Sequence, residues 1–204
     1  YDSVQAQMIN KQIFETIEQK GYSVGCVSPM NTKNNLKNPK YFIPDPWTDT
    51  NSSNDFWSKK VHQLLKQTVN DNAKSKITLK SVLIIILAIF RFARFRNYLS
   101  YLFLAFGSLK NPWRKALFLD QLVNDIHIGL MKSNKPDFST VFLNAGAHIQ
   151  HHYFHNSPFT SSEISNPDWY IESNKDPIFE MLKTYDQIIG DYLNNSGYEV
   201  ILCT

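Results

Sequence analysis

Two hundred and four residues with 43% hydrophobic and 14% aromatic content can bury one sizeable core, which excludes a wholly disordered chain. A net charge of +3, from 21 Lys+Arg against 18 Asp+Glu with no dense basic run, makes no electrostatic case for nucleic acid as a partner. Two cysteines, Cys26 and Cys203, cannot build a disulfide framework. Apolar residues at Met8, Ile9, Ile13, Phe14 and Ile17 predict an amphipathic helix over 4–18, stopped at Lys20-Gly21. Tyr22–Val27 reads as a short strand. Residues 31–55 form a long polar loop punctuated by Pro39, Pro44 and Pro46. The aromatics in its Tyr41–Thr48 stretch predict that part of it packs.

Phe56–Asn70 predicts a second amphipathic helix, with Trp57, Val61, Leu64, Leu65 and Val69 on one side. The apolar run Val82–Phe90 falls short of the ~20 residues a membrane span needs, so no clear transmembrane segment is read. Arg91, Arg94 and Arg96 interrupt before apolar residues resume at 98–106. Two readings stand for this region: one or two helices packed on the body of the protein, or a helix lying on a membrane surface, where cations beside aromatics are at home. A helix over 116–130 follows, then a β-branched strand over 137–143, a helix over 176–193 and a strand over 198–204. Both cysteines fall in strand-like apolar stretches and are expected to be buried free thiols. Strands alternating with helices predict an α/β fold, a mostly parallel sheet covered by helices, with a helical insert at about residues 56–133. The chain starts without Met and its last predicted strand runs to Thr204, so it is expected to be an internal piece of a larger domain. No signal peptide is read; this favours the cytoplasm and leaves a membrane-peripheral placement open.

The chemistry concentrates in one segment. Four of six histidines, His148, His151, His152 and His155, lie within eight residues, directly after the 137–143 strand. In a helix, His148, His152 and His155 share a face, and an i, i+4 pair of imidazoles can reach one metal ion. The carboxyl end of a strand in an open α/β sheet is also where ligands bind. Against this stands the reading of the same histidines as hydrogen-bonded or solvated surface residues. Asp45 and Trp47, in the Pro-rich loop, could cap a substrate pocket or simply pack. Arg91, Arg94, Arg96, Lys110, Arg114 and Lys115 make a loose basic belt.

The segment Asn144-Ala-Gly-Ala-His148 after a strand resembles the Asp-x-x-Gly-His element of the alkaline phosphatase superfamily, with the Gly one position early. Its nucleotide pyrophosphatase/phosphodiesterase and sulfatase-like branches are the most similar. Asp176-Pro, the stretch Tyr185–Gly190 and the run Gly197–Thr204 are similar to the helix and strand that precede that superfamily's Asp-His-Gly motif. More narrowly, Pro44-Asp-Pro-Trp-Thr48 with Leu143–Tyr153 resembles a poorly characterised group of alkaline phosphatase-like bacterial proteins.

The resemblance implies an alkaline phosphatase-like partial α/β domain over 1–204. It also implies a metal-dependent hydrolase or transferase of phosphate or sulfate esters using two divalent ions, Zn or Mn. His148 matches the metal-binding His. Asn144 stands where a metal-binding Asp is expected, so that donor brings no negative charge. His152, His151 and His155 are further candidates for metal or substrate. The implied substrate is a small anionic ester, glycan- or lipid-linked. The nucleophile and the Asp-His pair are expected outside these residues, leaving the piece catalytically incomplete. The alternative is a divergent, non-catalytic binding or interaction module on the same fold.

Overall fold

The computed structural model describes residues 11–70, 78–159, 164–194 and 197–203. Among them the chain is α/β, with a small three-stranded parallel sheet and seven α-helices. It divides into two compact units, residues 1–93 with 125–142, and residues 94–124 with 143–204. The helices predicted for the 56–133 insert are shared between them. No helix among the described residues is long and apolar enough to cross a membrane.

The first unit holds the sheet, in strand order β2-β1-β3. β1 (Val24–Val27) is central and buried at all four positions, as expected of a parallel strand covered on both faces. It pairs with β2 (Tyr41–Ile43) from Gly25↔Tyr41 to Val27↔Ile43, and with β3 (Phe138–Val141) from Val24↔Phe138 to Val27↔Val141. β2 lies inside the stretch read as loop, bracketed by prolines, and becomes a strand through its ladder to β1. Asp137 joins the feet of β1 and β3: its carboxylate accepts from the Ser23 N–H and hydroxyl, both at 2.7 Å.

α1 (Ile13–Gln19) starts later than the helix predicted over 4–18: Lys11 and Gln12 are not helical, and Gln12 is the N-cap in extended backbone; Met8 and Ile9 lie outside the described residues. It stops where expected. Gly21, at φ 89°, donates to the Glu18 carbonyl while Tyr22 donates to that of Ile17, the paired bonds of a Schellman cap that needs a left-handed residue. Phe14 and Ile17 pack on Val24, Cys26 and Phe42. Cys26 is fully buried, and burial pushes its thiol up, so it stays protonated. α2 (Phe56–Asn70) matches its predicted bounds, buries Val61, Leu64 and Leu65, and starts where Asp55 accepts from the Ser58 N–H at 2.9 Å. α3 (Leu79–Phe92) follows, opened by Thr78 as N-cap.

α5 (Arg114–Asn134) is longer than its predicted 116–130 span. Its second half gives the first unit a buried histidine. His127 Nε2 sits 2.6 Å from Ser139 Oγ, which lies 2.6 Å from Tyr41 Oη and 3.2 Å from the Gly25 carbonyl. If Ser139 donates to Gly25, both Tyr41 and His127 donate to Ser139, which satisfies every group. Burial lowers the His127 pKa from 6.5 to about 3, so the native imidazole is neutral. The unfolded chain binds that proton and the native state does not. Stability is therefore lost as pH falls below the unfolded pKa, by roughly 2 kcal/mol between pH 7 and 5. Urea unfolding of the first unit at the two pH values checks this, and His127→Gln is expected to remove the slope.

The second unit contains α4 (Tyr98–Gly107), the first half of α5, α6 (Ala145–Tyr153) and α7 (Pro177–Leu193). Asp176 caps α7 by accepting from the Phe179 N–H at 3.0 Å. The core joins Leu104, Trp113, Leu117, Ile149, Ile178 and Met181. Glu180 accepts from Arg114 Nε and Nη2 at 2.8 and 2.7 Å and from Trp113 Nε1 at 2.9 Å, a forked pair of the strong kind. Arg94 and Arg96 both pair with Asp191. Half of the predicted basic belt is thus spent on internal ion pairs.

The strand predicted over 198–204 does not form at 198–203. Its apolar residues have no ladder partner among the described residues, Ile201 and Leu202 are exposed, and Cys203 is exposed rather than buried. A β-branched run becomes a strand only where a neighbour accepts its hydrogen bonds.

Candidate functional site

The histidine segment begins three residues past β3. Asn144 is the N-cap of α6, but its side chain makes no capping hydrogen bond. The orphan N–H groups of the first turn are met from elsewhere in the second unit. Asp120, on α5, accepts from Asn144 N–H at 3.2 Å and Ala145 N–H at 2.8 Å. Tyr185, on α7, donates its hydroxyl to Asp120 at 2.8 Å and accepts from Gly146 N–H at 2.7 Å. A Cβ on residue 146 would come within 3.0 Å of the Tyr185 ring, so glycine lets that ring approach. The positive end of α6 is therefore neutralised from within by a buried carboxylate.

Burial raises the Asp120 pKa from 3.8 to about 6, against the lowering effect of its three donors. The same burial, with Asp120 beside it, pushes the Tyr185 phenol up. Neither residue stood out in the sequence. The available signal was weak: Asp120 lies one turn from Leu117, but Gln121, Asn124, Asp125 and His127 of the same helix are buried as well.

α6 buries Ala145, Gly146, Ile149 and Tyr153 and turns its imidazoles the other way. His148 is half-buried, while His151 and His152 are exposed. His148 and His152, at i, i+4, bring their ring centroids to 4.7 Å. Burial, then His152 and His151, lower the His148 pKa, so it is neutral at pH 7. Nδ1 of His152 lies 2.8 Å from the Tyr170 hydroxyl, which fixes the ring's orientation. His155 departs from the predicted i+7 position on the helix face. The α-helix ends at Tyr153, and His155 sits in the 3₁₀ turn Phe154–Asn156. Asp186 is an exposed residue of α7.

The Pro-rich loop belongs to the first unit. Asp45 is fully buried, and its carboxylate accepts from the N–H groups of Asn31, Trp47 and Thr48, each at 2.8 Å, and from the Thr48 hydroxyl at 2.6 Å. It ties the loop leaving β2 to the loop leaving β1, where Ser28 and Asn31 hold φ of 56° and 53°. For serine that backbone is strained. Trp47 is left half exposed. A cavity of about 810 Å³ in the same unit is lined by polar groups, among them Asn34, Asp49, Lys59, Lys66 and His62. Asn34 Oδ1 and His62 Nε2 are enclosed there with no hydrogen-bond partner among the described residues. None of its lining residues comes from the histidine segment.

For a metal, the second unit offers the paired imidazoles of His148 and His152 and the amide oxygen of Asn144. No group of three or more His, Cys, Asp or Glu side chains able to hold an ion occurs among the described residues. Comparison of the chain with protein-family models, with curated proteins and with solved structures finds no match.

Proposed function

We propose that this chain carries part of the active site of a metal-dependent hydrolase or transferase of phosphate or sulfate esters, on an alkaline phosphatase-like α/β fold. The observation that carries the reading is the His148–His152 pair, one turn apart on a single helix with ring centroids 4.7 Å apart. Two imidazoles one turn apart are donor chemistry suited to a divalent ion. In this reading His148 and His152 supply imidazole nitrogen and Asn144 an amide oxygen. A divalent ion held there, Zn or Mn, would polarise the ester and stabilise its oxygens.

The rest is done by the chain itself. Asp120 and Tyr185 pin the first turn, burial keeps His148 unprotonated, and Tyr170 orients His152. Two imidazoles and one amide are fewer donors than a closed zinc site uses. The reading therefore assigns neither the nucleophile nor the remaining ligands to the described residues. The substrate is a small anionic ester, glycan- or lipid-linked.

A second reading, a divergent non-catalytic binding or interaction module on the same fold, is favoured by Asn144 in place of a carboxylate. Titration of the metal-free chain with Zn or Mn, followed by calorimetry, separates the two. The enzymatic reading expects saturable binding that His148→Ala and His152→Ala each weaken at least about tenfold, with the fold intact by circular dichroism. Absence of binding, or binding indifferent to both substitutions, overturns the metal site and leaves the module.

A further inference from the structure

Two helices present the wrong face to water. A surface helix ordinarily turns its polar side outward. α3 exposes apolar side chains as well: Ser81, Ala88 and Phe92 are buried, while Leu79, Val82, Leu83, Ile86, Leu87 and Phe90 are 41–88% exposed. Their spacing of three and four residues makes one continuous stripe along the helix. α4 repeats the pattern in the other unit. Tyr101 and Leu104 are buried, and Leu99, Leu102, Phe103 and Phe106 are 54–79% exposed. Contiguous apolar surface of this kind marks an interaction site.

Charge identifies the occupant. Residues 72–119 contain nine Lys and Arg and no Asp or Glu. Arg94, Arg96 and Arg114 are engaged by Asp191 and Glu180, but Lys80, Arg91, Lys110 and Lys115 are exposed. A second copy of this chain would bring like charge to like charge. A bilayer rich in anionic lipid supplies both an apolar layer and a negative surface. α3 has 14 residues, about 21 Å at 1.5 Å per residue, against a hydrocarbon layer of about 30 Å. It is too short to cross and suited to lying in the interface.

We propose that α3 seats its Leu79–Phe90 stripe in the headgroup region of an anionic membrane, with α4 a second such face. The inference does not depend on the metal site. Flotation of the chain with vesicles of phosphatidylcholine alone, and of three parts phosphatidylcholine to one part phosphatidylglycerol, tests it. The chain is expected to float with the anionic vesicles at low salt, to partition at least about tenfold less onto neutral ones, and to be released by high salt. Leu83→Asp with Leu87→Asp is expected to abolish flotation, and Lys80→Glu with Arg91→Glu to remove the preference for anionic lipid. All four positions are exposed, so circular dichroism should match the parent. Three results overturn the proposal: no flotation with anionic vesicles, flotation unchanged in both double variants, or a dimer in sedimentation that Leu83→Asp/Leu87→Asp dissociates while the parent ignores lipid.

Discussion

Asp120→Ala is expected to destabilise the second unit by about 2–4 kcal/mol and to loosen the first turn of α6. The substitution leaves the N–H groups of Asn144 and Ala145 and the Tyr185 hydroxyl facing an apolar gap. Each buried donor left without an acceptor costs about 1–3 kcal/mol. Part of that cost is offset, because the ionised carboxylate is itself poorly solvated. Urea unfolding measures the loss, and zinc titration reads its consequence at His148, whose helix is no longer pinned.

Asp120→Asn separates charge from hydrogen bonding. Its amide oxygen can replace the oxygen that serves Ala145 and Tyr185, but its NH₂ would then face the Asn144 N–H, so one bond is lost. The pH dependence should vanish as well. A carboxyl with pKa 3.8 unfolded and about 6 folded binds its proton more tightly in the native state. It therefore adds stability as pH falls from 7 toward 4, by up to ~3 kcal/mol. That contribution is opposite in sign to the His127 loss in the first unit. The Asn variant should lack it, and a slope surviving in that variant would show that another group is responsible.

Asp191→Ala is expected to cost about 3–5 kcal/mol, the range for removing one partner of a buried ion cluster. Asp191 is 5% exposed. It faces the guanidinium groups of Arg94 and Arg96 and accepts from Asn124 Nδ2 at 3.2 Å. The partners differ in exposure, and this sets the control. The Arg96 side chain is 60% exposed, so Arg96→Ala should cost under about 1 kcal/mol. The Arg94 side chain is 24% exposed, and Arg94→Ala should fall nearer the Asp191 value. Chemical denaturation of the three variants checks the order; equal losses at Arg94 and Arg96 would contradict it.

The elements readable from sequence are those whose evidence is local. Trp57, Val61, Leu64 and Leu65 at helical spacing delimit α2 to the residue, because its buried stripe and its Asp55 cap all lie within sixteen positions. β2 was hidden for the opposite reason. Three residues between Pro39 and Pro44 have no periodicity to read, and their strand character comes from pairing with β1. Val200–Cys203 shows the converse, an apolar run that no strand among the described residues receives. The i, i+4 pairing of His148 with His152 could be seen in advance. The end of the helix at Tyr153, which takes His155 off that face, could not.

Composition and periodicity by themselves determined the α/β class, the helices over 56–70 and 176–193, and the one segment where imidazoles gather. They did so because burial stripes and turn residues act over a few positions of chain. Only the tertiary structure decided that Asp120 and Tyr185, 25 and 39 residues from the helix turn they hold, anchor the candidate site. It likewise decided which side of the largely apolar helices at 79–92 and 98–107 is buried and which is exposed. A largely apolar run carries little record of which face is covered; that is set by what packs against it.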